Sequence, residues 1–82
     1  MRTHHLDARG LICPLPVLKA RKILLSLPPG SLLTVSVTDG HAPKDFELFC
    51  AENGFELHGV ARAANGYEVK ILKPLAAEAA AA

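Results

Sequence analysis

Apolar residues recur along the chain with two different spacings, and the changes of spacing divide it into six predicted elements. Alternation of apolar and polar residues is typical of a strand with one buried face, whereas an apolar residue at every third or fourth position is typical of a helix. Prolines and glycines interrupt the pattern where one element should end and the next begin. The pattern predicts strands at residues 3–7, 31–38, 55–62 and 67–73, and helices at residues 14–27 and 43–53.

Each predicted element has one side that should face a core. In the strands this side is formed by His4 and Leu6; by Leu33, Val35 and Val37; by Phe55, Leu57 and Ala61; and by Tyr67, Val69 and Ile71. In the helices it is formed by Val17, Ala20, Leu24 and Leu27, and by Phe46, Phe49 and Cys50. The opposite sides are polar or mixed, so we expect helices to cover only one face of the sheet.

The order β-α-β-α-β-β predicts an α/β (α+β) fold, a two-layer α/β sandwich with a four-stranded mixed sheet and both helices on one face. The first two strands should be parallel because a helix connects them. The last two should be antiparallel because Asn65-Gly66 is a strong two-residue hairpin signal. We expect a single domain at residues 1–74 and an Ala-rich flexible tail at residues 75–82.

Composition and charge narrow the classes of protein. A net charge of +1 argues against general nucleic-acid binding. Two cysteines form no disulfide framework, the N-terminal residues have no apolar run like that of a secretory signal, and no stretch reaches the ~18 apolar residues of a membrane helix. We therefore expect a cytoplasmic protein with free thiols that binds neither membrane nor nucleic acid. We also expect a monomer, because the pattern contains no large unpaired apolar surface.

Cys13 lies between the first predicted strand and the first predicted helix. Free N–H groups at a helix start favour a thiolate, which is the reactive form of cysteine. Pro14 and Pro16 remove two of these N–H groups but leave those of Leu15 and Val17, so we expect a modest lowering of the thiol pKa. Ligand chemistry in α/β sheets also gathers at the carboxyl ends of parallel strands. The residues alone leave two interpretations, a surface nucleophile or a small apolar residue packed under a turn.

The segment around Cys13 resembles the signature of the TusA-like (SirA-like) sulfur-carrier family, in which Leu-Asp and a Gly precede a Cys-Pro-x-Pro element that opens the first helix. The matching residues are Leu6, Asp7, Gly10, Cys13, Pro14 and Pro16. Further similarity lies at Pro29-Gly30, Thr38-Asp39, Asp45, and from Phe49-Cys50 to Asn53-Gly54. The resemblance therefore extends over residues 5–73.

The resemblance implies the same two-layer sandwich and a protein that carries sulfur. Such a protein accepts sulfane sulfur from a donor, such as a cysteine desulfurase, as a persulfide on Cys13. It relays the sulfur to an acceptor protein with a reactive cysteine, in tRNA thiolation, cofactor synthesis or sulfur oxidation. No metal or organic cofactor is required, and whether this sulfurtransferase is classed as an enzyme is left open. Leu15 and Gly40 stand where relatives often carry Glu and Pro, so the pathway is not specified.

Several other residues are candidates for supporting roles. The first helix has a basic surface without acids, which is either a solvated face or a docking surface for an acidic partner. The expected partner-binding residues are Arg9, Leu15, Lys19, Arg21 and Lys22, and Lys44 is a further candidate for the same surface. Asp7 is expected to cap backbone N–H groups in a turn, and Asp45 to be an acid in the first turn of a helix. Cys50 is expected to be an inert core thiol, with a resolving thiol as the alternative.

Two other functions stay open at this stage. The first is a regulatory or RNA-contacting interaction module in which Cys13 is structural. The second is a dithiol redox protein that uses Cys13 and Cys50. The histidines and cysteines show no zinc spacing, so no metal site is expected. The histidines are His4, His5, His41 and His58.

Overall fold

Six elements follow one another in the predicted order in the computed structural model, which describes residues 3–74. The strands are β1 (Thr3–Ala8), β2 (Leu32–Val37), β3 (Glu56–Ala63) and β4 (Gly66–Leu72), and the helices are α1 (Leu15–Ser26) and α2 (Ala42–Asn53). Every boundary lies within one residue of its prediction. The predicted tail at residues 75–82 lies outside the described residues.

The four strands form one mixed sheet in the order β1-β2-β4-β3. β1 and β2 are parallel, with Leu6 opposite Val35, because α1 carries the chain back between them. β4 is antiparallel to both β2 and β3. The predicted two-layer sandwich with a mixed sheet is therefore confirmed.

A single core fills the space between the sheet and the two helices. Ala20 and Leu24 of α1 and Phe46 of α2 are fully buried, and Phe49 is nearly so. They join the inward side chains of the strands in this core, which are Ala8, Leu33, Val35, Val37, Val69 and Ile71. No helix within residues 3–74 is long and apolar enough to cross a membrane.

Strand β3 departs from the predicted alternation. Ala61 was expected to face the core, but it is exposed and pairs with Glu68 of β4. The register shifts between Leu57 and Gly59, so that Val60, and not Ala61, pairs with the buried Val69. A bulge adds one residue to a strand and reverses which side chains point inward beyond it.

The hairpin between β3 and β4 also differs from its prediction. Gly66 pairs with Ala63 as the first residue of β4, so Ala64 and Asn65, and not Asn65 and Gly66, form the two-residue connection. A Cβ atom on Gly66 would overlap the carbonyl oxygen of Val37. The glycine is therefore required by a close approach of two backbones, and not by the turn.

Candidate functional site

The segment that carries Cys13 is fixed to the end of strand β2. Gly10 has a φ of +82°, which a glycine adopts without strain, and its N–H donates to Thr38 Oγ1 at 2.9 Å. The Cys13 N–H donates to Asp39 Oδ2 at 2.8 Å. The Cys13–Pro14 peptide bond is cis. The two hydrogen bonds place Cys13 at the carboxyl ends of the parallel strands β1 and β2.

Helix α1 begins immediately after Cys13 but offers its sulfur few hydrogen-bond donors. Pro14 occupies the N-cap position and Pro16, which is buried, lies in the first turn; neither has an N–H group. The Leu15 N–H donates to the Ile12 carbonyl oxygen at 3.0 Å and is therefore engaged. The expectation that Leu15 remains free to stabilise a thiolate is wrong.

Two carboxylates lie beside Cys13. Besides accepting the Cys13 N–H, Asp39 accepts the backbone N–H of His41 at 2.8 Å through Oδ1, and its side chain is only 13% exposed. These two backbone N–H groups hold the pKa of Asp39 below its usual value. Asp45 lies in the first turn of α2, as predicted.

The surroundings of Cys13 favour its neutral thiol. Partial burial raises the pKa of Cys13 most, followed by the neighbouring carboxylates of Asp45 and Asp39, and together they bring it to about 11. The sequence predicted the opposite direction from the helix start. That prediction is wrong because partial burial disfavours the thiolate and the neighbouring charges are acidic.

The surface next to Cys13 combines exposed apolar and basic side chains. Ile12 is 72% exposed, Leu18 54% and Leu15 47%. The predicted partner-binding residues of α1 other than Leu15, which are Lys19, Arg21 and Lys22, are also exposed. The sequence analysis did not identify Ile12 and Leu18 as exposed residues of this surface. The signal for Leu18 was its position outside the apolar stripe of α1 and next to Lys19.

Asp7 and Arg9 form a local ion pair. Asp7 Oδ1 accepts the Arg9 N–H at 3.1 Å and Nε at 2.8 Å, and Oδ2 accepts Nη2 at 2.9 Å. The guanidinium and the N–H hold the pKa of Asp7 well below its usual range. Asp7 therefore closes the turn after β1, and Arg9 is held against it with its side chain 65% exposed.

The remaining candidates lie apart from this group. Cys50 is 3% exposed, and burial raises the pKa of its thiol to about 11, as fits a core residue. Lys44 is exposed on α2. Among residues 3–74, no group of His, Cys, Asp and Glu side chains could hold a metal ion.

Comparisons with known proteins agree on one family. The model of the family described as sulfurtransferase TusA matches residues 4–73. Over 57 residues the chain is 51% identical to a candidate sulfur carrier protein of Neisseria meningitidis serogroup A, covering 70% of this chain and 77% of the relative. It is 48% identical over 52 residues to the sulfur carrier protein TusA of Allochromatium vinosum, covering 63% of this chain and 68% of the relative.

A solved structure gives the same answer at the level of the fold. The crystal structure of a SirA-like protein from Desulfitobacterium hafniense matches with a TM-score of 0.78 and 29% identity, and the match covers 87% of this chain and 97% of that one. The family match spans all six elements, from β1 to β4, together with the segment that carries Cys13. The chain therefore belongs to the sulfurtransferase TusA family.

Proposed function

We propose that this protein is a sulfur carrier that accepts sulfane sulfur as a persulfide on Cys13 and relays it to the thiol of an acceptor protein. The observation that carries the proposal is the position of Cys13 in a member of this family. Cys13 is a half-buried residue at the carboxyl ends of β1 and β2, beside the exposed Ile12 and Leu15. A carrier needs this arrangement, because both donor and acceptor must approach the sulfur.

The proposed reaction is an exchange between thiols and persulfides. The Cys13 thiolate attacks the terminal sulfur of a donor persulfide, and a new S–S bond forms at Cys13. The S–S bond of the donor breaks, its electron pair stays on the donor sulfur, and that sulfur takes up a proton. Delivery repeats the exchange with an acceptor thiolate as the attacking group, so sulfane sulfur is neither made nor lost.

The proposed partners are a donor protein, such as a cysteine desulfurase, and an acceptor protein with a reactive cysteine. The exposed Leu15, Lys19, Arg21 and Lys22 support a docking surface on α1, because a positive patch around apolar side chains steers an acidic partner into place. Arg9 contributes charge at its edge while it remains bound to Asp7. The proposal places the carrier in the cytoplasm as a monomer, with one domain at residues 1–74, in tRNA thiolation, cofactor synthesis or sulfur oxidation.

One observation favours a second candidate, a regulatory or interaction module in which Cys13 is structural. The raised pKa of Cys13 makes a spontaneously reactive thiol unfavourable in the free protein. A slow reaction of Cys13 with a thiol reagent therefore fits both candidates. Only sulfur loading by a donor separates them.

The test is intact-mass spectrometry after incubation with a purified cysteine desulfurase and cysteine. We expect the gain of one sulfur atom, reversed by a reductant and mapped to Cys13. The Cys13→Ser variant should fold normally and gain none, since the remaining Cys50 is buried. Retained loading in Cys13→Ser, or no loading of the wild-type protein from either the desulfurase or a small polysulfide, would refute the proposal.

A further inference from the structure

The outer face of helix α1 carries a stripe of leucines that points away from the core. Its four positions are Leu15, Leu18, Lys22 and Leu25, which lie on the side of the helix opposite the buried Ala20. Leu15 is 47% exposed, Leu18 54% and Leu25 58%, whereas exposed apolar residues that occur singly are normal and carry no meaning. Helix α1 therefore has two apolar sides, and the sheet covers only one of them.

The spacing of this outer stripe is that of a coiled-coil seam. Its successive positions are three, four and three residues apart. In a coiled coil, whose seven-residue repeat is lettered a to g, residues at a and d have this spacing and insert into a second helix. The stripe is about 15 Å long, because each helical residue adds about 1.5 Å, and it is only one side chain wide. An apolar line of this shape matches the apolar line of another helix.

Basic side chains flank the outer stripe on both sides. With Leu15 and Lys22 at a positions, Lys19 lies at an e position and Arg21 at a g position, where ion pairs between the two helices decide the choice of partner. These three cations are exposed, and none of them forms an ion pair within the part of the chain that the structure describes. Helix α1 contains no acid. Two copies of α1 would therefore repel each other, and a partner helix needs acidic flanks.

We propose that the outer stripe is the docking site of an amphipathic helix of a partner protein, which carries apolar residues at three- and four-residue spacing and Asp or Glu on either side of them. The inference rests on the proposed function and adds the form of the partner to the docking surface on α1. The stripe begins at Leu15, two residues after Cys13. A helix that lies along it therefore holds the rest of the partner next to the sulfur.

The test measures the binding of a labelled three-heptad peptide to the whole chain by fluorescence anisotropy. The peptide carries Leu at a and d and Glu at e and g, so that like charges keep it from pairing with itself. We expect saturable binding that weakens at high salt, where ion pairs between exposed groups are screened. A second peptide of the same composition, with its leucines moved out of the heptad spacing, should bind about tenfold more weakly or less, because it cannot form the seam.

Leucine variants of the protein locate the contact. Leu18→Ala and Leu25→Ala should each weaken binding of the heptad peptide about tenfold, because each removes an apolar side chain that the complex buries. Leu48→Ala is the matched control, since Leu48 is 55% exposed on α2 and lies outside the stripe, and it should bind like the wild type. All three variants replace an exposed leucine by a good helix former, so the fold is retained.

Four results overturn the proposal. Two are the absence of saturable binding and equal binding of the two peptides, since charge alone would then account for the affinity. The others are self-association of the protein, or its binding to vesicles of phosphatidylcholine and phosphatidylserine, where Leu25→Ala abolishes it, because the stripe then serves a second copy or a membrane surface. Cys13→Ser should bind the peptide like the wild type. Failure of sulfur loading therefore refutes the proposed function and leaves the binding result intact.

Discussion

Gly66 decides how closely two strands approach at the end of the sheet that bears Cys13. A Cβ atom there would overlap the carbonyl oxygen of Val37 and lie 2.8 Å from the Cα atom of Thr38. Both are backbone atoms, which cannot move aside as the end of a flexible side chain can. The same stretch of chain continues to Asp39, which holds Cys13. The size of Gly66 is therefore linked to the position of the site.

We expect Gly66→Ala to lower the free energy of unfolding by more than about 2 kcal/mol, because a strand must shift to admit the new atom. Gly59→Ala is the matched control in the neighbouring strand. Its Cβ atom would meet open space, so its effect should stay within about 0.5 kcal/mol. Urea unfolding followed by circular dichroism measures both. Equal losses of stability in the two variants would contradict the close approach.

The residues of the site differ in how far the sequence could predict them. Cys13 is found from a local motif, and its position between a strand and a helix is a local property. Asp39 contacts the N–H of Cys13 across 26 positions of sequence, so no local pattern relates the two residues. The direction of the thiol pKa depends first on the partial burial of Cys13 and then on the carboxylates of Asp45 and Asp39. It could not be obtained from the helix start alone, and its prediction was wrong for that reason.

Helix α1 is completed by a residue from the other end of the described chain. The last turn of α1 contains no basic residue, yet Lys73 Nζ donates to the carbonyl oxygens of Leu24 at 2.9 Å and Leu27 at 2.7 Å. A cation at this end satisfies carbonyl groups that have no partner within the helix and interacts favourably with the helix dipole. The connection joins α1 to the segment after β4.

Replacing Lys73 by methionine retains the apolar part of the side chain and removes the ammonium group. We expect Lys73→Met to lower the free energy of unfolding by about 1–2 kcal/mol, since two hydrogen bonds to a charged donor are lost. Lys70→Met is the control, because Lys70 is exposed on β4 and should cost little. Thermal and urea unfolding provide the comparison. Lys73→Met with the stability of Lys70→Met would show that the two hydrogen bonds contribute nothing.

The elements themselves were predicted well because each rests on short-range periodicity. The exceptions arise where a contact with another strand changes which residues pair. The bulge between Leu57 and Gly59 pairs Val60 and not Ala61 with the buried Val69, and the approach to Val37 moves Gly66 from the turn into β4. The local pattern of apolar residues does not reveal either contact. The predicted strand boundaries were therefore right within one residue, whereas the prediction of which β3 side chains face the core was wrong.

At the scale of the molecule, the sheet separates two surfaces of different character. Helices cover one face, while the other carries polar side chains such as His5, whose ring lies 2.8 Å from Ser36 Oγ. The sequence predicted this one-sided sheet from its alternating strands. It did not predict that β4 inserts between β2 and β3, because strand order depends on pairing over long distances. Cys13 and the basic surface of α1 are thus set apart from the polar sheet face that carries Lys70.

This separation allows docking to be tested with charge reversals on two surfaces. Lys19→Glu combined with Lys22→Glu should slow sulfur loading from a cysteine desulfurase about tenfold at low salt, because the attraction to an acidic donor becomes repulsion. The difference from the wild type should shrink at high salt, where exposed charges are screened. Lys70→Glu reverses a charge on the polar sheet face and should load at the wild-type rate.

Loading from a small polysulfide separates docking from thiol reactivity in the same variants. A small molecule needs no protein surface, so the double variant should load from polysulfide as fast as the wild type. If loading slows equally from both donors, Lys19 and Lys22 act on the thiol itself and not on a partner. If the desulfurase loads the double variant at the wild-type rate, the donor binds elsewhere, and the apolar Ile12, Leu15 and Leu18 around Cys13 become the surface to alter next.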